Sequence, residues 1–169
     1  MSQAFVREPE GDLPEDLPEL PLSPHPNYVT SRGLALLQQR LQANEAAQAA
    51  LSDEGLNEAL DTKRQRSLLA REGRWLQARI ASALLVKPAV TAAEKVGFGC
   101  VVDLLDEAGQ SLRYQIVGED EAEPEQGRIS WRSPLALAIT GREVGDEVLW
   151  PRPAGDLRVE IMAIAKGPA

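Results

Sequence analysis

Pro88 divides the chain into two halves with different hydrophobic periods, and one kind of element cannot serve both. Before it, apolar residues recur at helical spacing: Leu34, Leu37 and Leu41, then Leu69, Leu76, Ile80 and Ala83. After it they alternate with polar residues, as in Leu112, Tyr114 and Ile116. A 3.6-residue repeat lines one face of a helix and a two-residue repeat lines one face of a strand. The helical half is interrupted at Ser52-Asp53-Glu54-Gly55, where Gly55 suits a left-handed C-cap and Ser52, Asp53 or Asn57 suits the cap of a returning helix. With Thr30 as the first N-cap, the sequence predicts two helices, the second continuing to about Val86, folded as an antiparallel hairpin or coiled coil.

On the second helix the apolar stripe opposes Lys63, Arg66, Arg71 and Arg74. These four form either a solvated face or a surface toward RNA or an acidic groove. Toward the turn the seam reads Gln65, Thr62 and Glu58, so the distal part is expected to pack poorly and the core to lie at the base. Residues 28–87 carry nine basic and six acidic side chains, net +3, against −5 for residues 1–27 and −6 for residues 88–169.

Residues 1–27 hold six of the twelve prolines and six acids against one arginine, a composition expected to give a disordered acidic tail. Residues 88–169 read as strands at 98–105 and around 112–116 joined by Asp106-Glu107-Ala108-Gly109, then 128–131, 147–150 and 157–164. Ser133 caps a short helix with Pro134 in its first turn and Gly141 past its end. The acidic run from Glu119 to Glu125 is an exposed loop or a partner-facing patch. The fold class is α+β: a helical hairpin, then an antiparallel sheet with one helix.

Composition removes several classes of function. At 169 residues and a net charge of −8, the chain is too small for a large multidomain enzyme, and no direct recognition of duplex DNA is expected. One cysteine, Cys100, and one histidine, His25, exclude an internal disulfide and a Cys/His zinc site. Cys100 is read as a small apolar packing residue. Gly-rich phosphate loops and nucleophile elbows are absent, so no catalytic site is assigned. No apolar run approaches a membrane span, and a cytoplasmic protein is expected.

Tyr114-Gln115-Ile116-Val117-Gly118-Glu119-Asp120-Glu121-Ala122, then Ile129-Ser130-Trp131-Arg132-Ser133-Pro134-Leu135-Ala136, then Ile139-Thr140-Gly141 with Val144-Gly145-Asp146, resemble the C-terminal domain of the bacterial Gre transcript-cleavage factors. Ser31-Arg32-Gly33 and Glu72-Gly73-Arg74 resemble the coiled coil of that family, and the opening Met1-Ser2-Gln3-Ala4-Phe5-Val6-Arg7-Glu8 is similar to its GreB branch. The resemblance implies an FKBP-like C-terminal domain over 88–169 that docks on bacterial RNA polymerase beside its secondary channel, while the hairpin over 28–87 reaches toward the active site. It further implies a monomer without enzymatic activity or a cofactor of its own, which lends carboxylates to a magnesium ion held by the polymerase.

Carried onto this chain, the implied polymerase-binding residues are Arg132, Ser133 and Pro134, with Glu119, Asp120 and Glu121. The stripe Lys63, Arg66, Arg71 and Arg74 would face the nascent RNA 3′ end. The tip residues Asp53, Glu54 and Glu58 are the candidates for a part in cleavage, and of these Asp53 and Glu54 would hold the metal, only jointly with the polymerase. The family tip reads approximately Gly-Asp-x-x-Glu-Asn, and this turn, Ser52-Asp53-Glu54-Gly55-Leu56-Asn57-Glu58, departs from it. The hairpin is also about ten residues shorter than the resemblance implies, on the order of 7 Å per arm. Two readings follow: a factor that modulates paused or backtracked polymerase, with or without stimulating cleavage, or a channel-blocking competitor without cleavage activity. Fold analogy adds a remote alternative, a peptidyl-prolyl isomerase, for whose aromatic-walled pocket residues 88–169 offer only Phe98, Tyr114, Trp131 and Trp150.

Overall fold

The computed structural model describes residues 17–52, 60–87 and 94–168. The N-terminal half contains β1 (Tyr28–Val29), α1 (Ser31–Ser52), α2 (Leu60–Ala81) and β2 (Leu84–Leu85). Thr30 caps α1 as expected, its hydroxyl oxygen accepting from the Gly33 amide at 2.9 Å. The turn between the helices, with Gly55, Asn57 and the proposed caps, lies outside the described residues.

The second helix ends at Ala81, short of the expected Val86. Asn27 donates its side-chain amide to the Arg79 carbonyl at 2.7 Å, satisfying part of the helix end. The chain is then drawn alongside β1, with the Leu84 amide on the Asn27 carbonyl (2.8 Å) and the Val86 amide on the Val29 carbonyl (3.0 Å). This parallel pairing of β1 with β2 overrides a helical period that still runs through Ala83.

Val29, Leu37 and Leu76 form the buried centre of the hairpin, flanked by Leu34, Leu41, Trp75, Ile80 and Ala83. The core therefore sits at the base, as the seam implied. Above Leu41 the seam turns polar earlier than expected. Asn44 is buried and donates to the Leu69 carbonyl at 3.0 Å, while Gln48 donates to Asn44 Oδ1 at 2.6 Å. A Cβ on Gly73 would stand 2.9 Å from Asn44 Oδ1, so the missing side chain of Gly73 lets the amide lie between the helices.

The C-terminal half holds β3 (Cys100–Asp106), β4 (Ser111–Val117), β5 (Arg128–Ser130), α3 (Pro134–Ile139), β6 (Glu147–Trp150) and β7 (Leu157–Lys166), with sheet order β5-β4-β3-β7-β6. The sheet is mixed, which corrects the antiparallel expectation: β5 runs parallel to β4. The intervening residues contain 3₁₀ turns at Glu119–Glu121 and Pro124–Gln126, and this crossover returns the chain in its original direction. Asp106 closes the β3–β4 turn by accepting from the Ala108 and Gln110 amides at 2.9 and 2.8 Å. Ser133 Oγ accepts from the Ala136 amide at 3.2 Å, so Ser133 and Pro134 open α3 as predicted.

One face of the sheet packs Val102, Leu104, Ile116, Val159 and Ile161 against Leu135, Ala136 and Ile139 of α3. Cys100 is half-buried against the same cluster. The whole is an α+β arrangement. No described helix is long and apolar enough to cross a membrane.

Residues 17–27 differ from the disordered tail expected of 1–27. They run along α2 and onto the sheet domain, with Asn27 buried and His25 edge-on to Trp131 at 6.3 Å. Aromatic and hydrogen-bonding partners elsewhere in the chain hold a composition that would not order itself. Residues 1–16 lie outside the described residues.

Candidate functional site

Where the hairpin meets the sheet domain, a set of charged groups is buried together. Arg79 on α2 is 3% exposed. Its Nε donates to Asp120 Oδ2 at 2.6 Å and its Nη2 to Asn27 Oδ1 at 2.7 Å, with Glu119 Oε2 3.8 Å from Nη2. Ser23 donates to the other oxygen of Glu119 at 3.1 Å. Taking a guanidinium out of water is costly, and a close carboxylate with a second acceptor offsets that cost.

A second contact of the joint lies at the start of α1. Thr30 donates its hydroxyl to Glu121 Oε2 at 2.5 Å while accepting from the Gly33 amide. Glu121, 5% exposed, thus lies at the positive end of the α1 dipole. A Cβ on Gly33 would stand 2.7 Å from Glu121 Oε2, so a side chain there would push the carboxylate away. Tyr28 adds an apolar contact, its ring 5.1 Å from Trp131 and 5.9 Å from Phe98.

These contacts draw part of the acidic loop, expected to be exposed or to face a partner, onto the chain itself. Glu119, Asp120 and Glu121, expected to face the polymerase, are turned onto the chain's own hairpin, and Glu123 pairs with Arg128. Arg79 and Thr30 were assigned no part in this joint. A signal for Arg79 existed: it lies three residues past Leu76 and four before Ala83, a lone charge on an apolar stripe that requires a buried acid.

The basic stripe is also partly occupied. Arg66 donates to the Leu51 carbonyl at 2.6 Å, capping the C-terminal end of α1. Arg74 pairs with Glu19 at 2.7 Å, and Arg71 donates to the Pro18 carbonyl at 3.4 Å. Lys63 is exposed. The stripe therefore does not act as one free surface: Arg71 and Arg74 hold the N-terminal segment.

The corner before α3 is held by the Ser133 cap. Arg132 and Pro134 are exposed, with the Arg132 guanidinium 5.4 Å from the Trp131 ring centre. Leu137, one turn on, is 52% exposed, which sequence reasoning did not single out. Asp53, Glu54 and Glu58 lie outside the described residues. Among the described residues, no group of three or more His, Cys, Asp or Glu side chains is arranged to hold a metal ion. The four aromatics of the isomerase alternative divide into two groups. Tyr114 pairs with Trp150, while Phe98 and Trp131 are covered by Tyr28.

The family model described as "Transcription elongation factor, GreA/GreB, C-term" matches residues 91–166. Transcription elongation factor GreA of Alkalilimnicola ehrlichii is 33% identical over 150 residues, spanning 80% of this chain and 95% of the relative. GreA of Ralstonia nicotianae is 34% identical over 151 residues, spanning 80% and 95%. The crystal structure of GreA factor homolog 1 (Gfh1) of Thermus thermophilus aligns with 83% of this chain and 99% of its own at 23% identity, with a TM-score of 0.39, and no residue placement is carried across from it. One-third identity across nearly the whole of two GreA proteins, together with the C-terminal match, means that this chain belongs to the GreA/GreB family of transcription elongation factors.

Proposed function

We propose that this protein binds bacterial RNA polymerase through its sheet domain, presents its hairpin to the secondary channel, and modulates elongation of paused or backtracked complexes. It acts in the cytoplasm as a monomeric accessory factor, and any magnesium involved belongs to the polymerase. The observation that carries this reading is the Arg132-Ser133-Pro134 corner, with Arg132 and Pro134 exposed, which lies on the same domain that grips the base of the hairpin. A partner bound at that corner receives the hairpin through a buried joint rather than a free linker.

The hairpin's length favours weak cleavage. Each described helix has 22 residues, an arm of about 33 Å. An oxygen ligand must come within about 2 Å of a magnesium ion, and side-chain rotation does not make up a deficit of several ångströms. The tip carboxylates Asp53, Glu54 and Glu58 also depart from the family spacing. We therefore read the chain as a channel occupant that stimulates cleavage weakly or not at all and competes with longer-armed relatives.

RNA cleavage on stalled, backtracked polymerase complexes tests this. The expected result is little cleavage with this protein alone, and reduced cleavage when it is added to a long-armed Gre factor. Cleavage equal to that of the long-armed factor at equal occupancy, lost in the D53A/E54A/E58A variant, would establish an active tip and overturn the competitor reading.

A further inference from the structure

Residues 17–22, Leu17-Pro18-Glu19-Leu20-Pro21-Leu22, lie along the face of α2 that carries Arg71, Arg74 and Trp75. Three contacts hold them: Arg71 to the Pro18 carbonyl, Arg74 to the Glu19 carboxylate, and Trp75 Nε1 to the Pro21 carbonyl at 3.1 Å. The two acceptor carbonyls are three residues apart, the repeat that brings groups to one side of an extended proline-type helix. Between this segment and the helices is a groove of about 470 Å³ bordered by Leu20, Pro21, Arg40, Arg71, Trp75 and the Glu72 carboxylate, which pairs with Arg40 at 3.0 Å.

The fit is incomplete. Glu19 and Arg74 are both more than half exposed, so their pairing is weak and screened by salt. Arg71 Nε is buried without a hydrogen-bond partner among the described residues. Arg71 thus has donor capacity that the present occupant leaves unused. Guanidinium groups beside an indole N–H suit the phosphates of a single nucleic-acid strand, while the Trp75 ring itself already lies beside the Arg40 and Arg79 guanidiniums at 5.7 and 5.9 Å. The segment supplies the same kinds of acceptor: carbonyl oxygens and one carboxylate.

We propose that residues 17–22 are a built-in strap that occupies the RNA-directed face of α2 and is displaced when single-stranded RNA engages Arg71, Arg74 and Trp75. The proposal rests on the reading of this stripe as RNA-facing and adds its regulation. Tethered a few residues from β1, the strap competes at a high effective concentration despite weak individual contacts. None of residues 17–22 belongs to either hydrophobic cluster, so removing them leaves both cores intact.

The test is fluorescence anisotropy of a labelled single-stranded oligouridine RNA at low salt, comparing the full chain with a variant lacking residues 1–22. The shortened protein is expected to bind on the order of tenfold tighter. Its salt dependence should be steeper by about 0.7 in log–log slope for each phosphate newly held. R71A/R74A in the shortened protein should abolish the gain, and a full-length variant with residues 17–22 permuted in order should release binding as the deletion does.

Equal binding by full and shortened chains, or a gain that survives R71A/R74A, would overturn the proposal. So would a permuted segment that masks as well as the native one, because net charge alone would then explain the effect. Binding of an acidic peptide but not RNA by the shortened protein would refute the assigned ligand. Polymerase pull-down keeps the readings separate: retained polymerase binding by the strap variants alongside a failed RNA result sinks the strap, and undiminished polymerase binding in Pro134→Glu with an intact RNA result sinks the docking corner.

Discussion

The sheet domain and the hairpin are stabilised by different means. Eleven buried residues around Val102, Ile116 and Ile161 hold the sheet domain, whereas among the described residues the hairpin's buried apolar cluster is Val29, Leu37 and Leu76, beyond which it turns to amides at Asn44 and Gln48. An apolar core is held by area and needs no particular partner. A three-residue core needs help, and here the help is polar and comes from the other domain, through Asp120 to Arg79 and Glu121 to Thr30. The sheet domain stands as a platform, and the hairpin is a lever fixed to it.

Truncation in each core gives the largest expected effects and tests this contrast directly. Both Ile161 and Leu76 are fully buried, but Ile161 is surrounded by strands and α3 while Leu76 lies in a narrow seam. Ile161→Ala should cost about 4 kcal/mol and Leu76→Ala about 2.5 kcal/mol, because a thin seam relaxes into the vacated space more readily. Urea unfolding followed separately by Trp150 and by helical circular dichroism would show it. Equal costs would mean that the hairpin core is as well packed as the sheet.

Next in size is Arg79→Ala, which leaves Asp120 and Glu119 facing a buried site without their cation. A loss of about 3 kcal/mol is the upper expectation for a well-buried pair, and the 25% exposure of Glu119 lowers it toward 2 kcal/mol. Amide hydrogen exchange should show the loss concentrated in α1, α2 and β1, with β3 and β7 unchanged. Exchange accelerating equally in β3 and β7 would break the lever-and-platform distinction.

Sequence legibility follows the same division. The sheet half was readable because its signals are local: alternation in β4, Asp106 and Gly109 at a turn, Ser133 and Pro134 at a helix start. The hairpin was readable at its base for the same reason. The joint was not assigned, because Arg79 and Asp120 are 41 residues apart and nothing in either neighbourhood names the other. The parallel placement of β5 was missed because alternation identifies a strand but not its direction. The N-terminal segment was misread because proline and acid content describe a chain left to itself, whereas Trp75, Arg74 and Trp131 supply the partners that order residues 17–27.

Thr30→Val sharpens the comparison at the other contact of the joint. The change preserves shape, removes the cap on the Gly33 amide and takes the donor from buried Glu121 Oε2. The expected cost is about 2 kcal/mol, the sum of a lost cap and an unmet acceptor. Glu121→Gln on that background should recover part of it, since an amide is less costly to bury than a carboxylate. Strict additivity in the double-mutant cycle would show that the two side chains do not act as a pair.

Pro134→Glu should have the smallest effect on the fold and the clearest effect on function. Pro134 is exposed at the first turn of α3, and its missing amide donor falls where the helix has no acceptor to offer. Glutamate is well tolerated at such a position, where the helix dipole favours an acid, so stability should change by less than about 0.5 kcal/mol. The corner proposed to meet the polymerase, by contrast, would lose an apolar contact beside Leu137 and gain a charge next to Arg132. Binding to polymerase should weaken by about tenfold, equivalent to about 1.4 kcal/mol, with an unchanged urea midpoint. If affinity held while the midpoint fell, Pro134 would be a folding residue and the docking surface would have to be sought on another face of the platform.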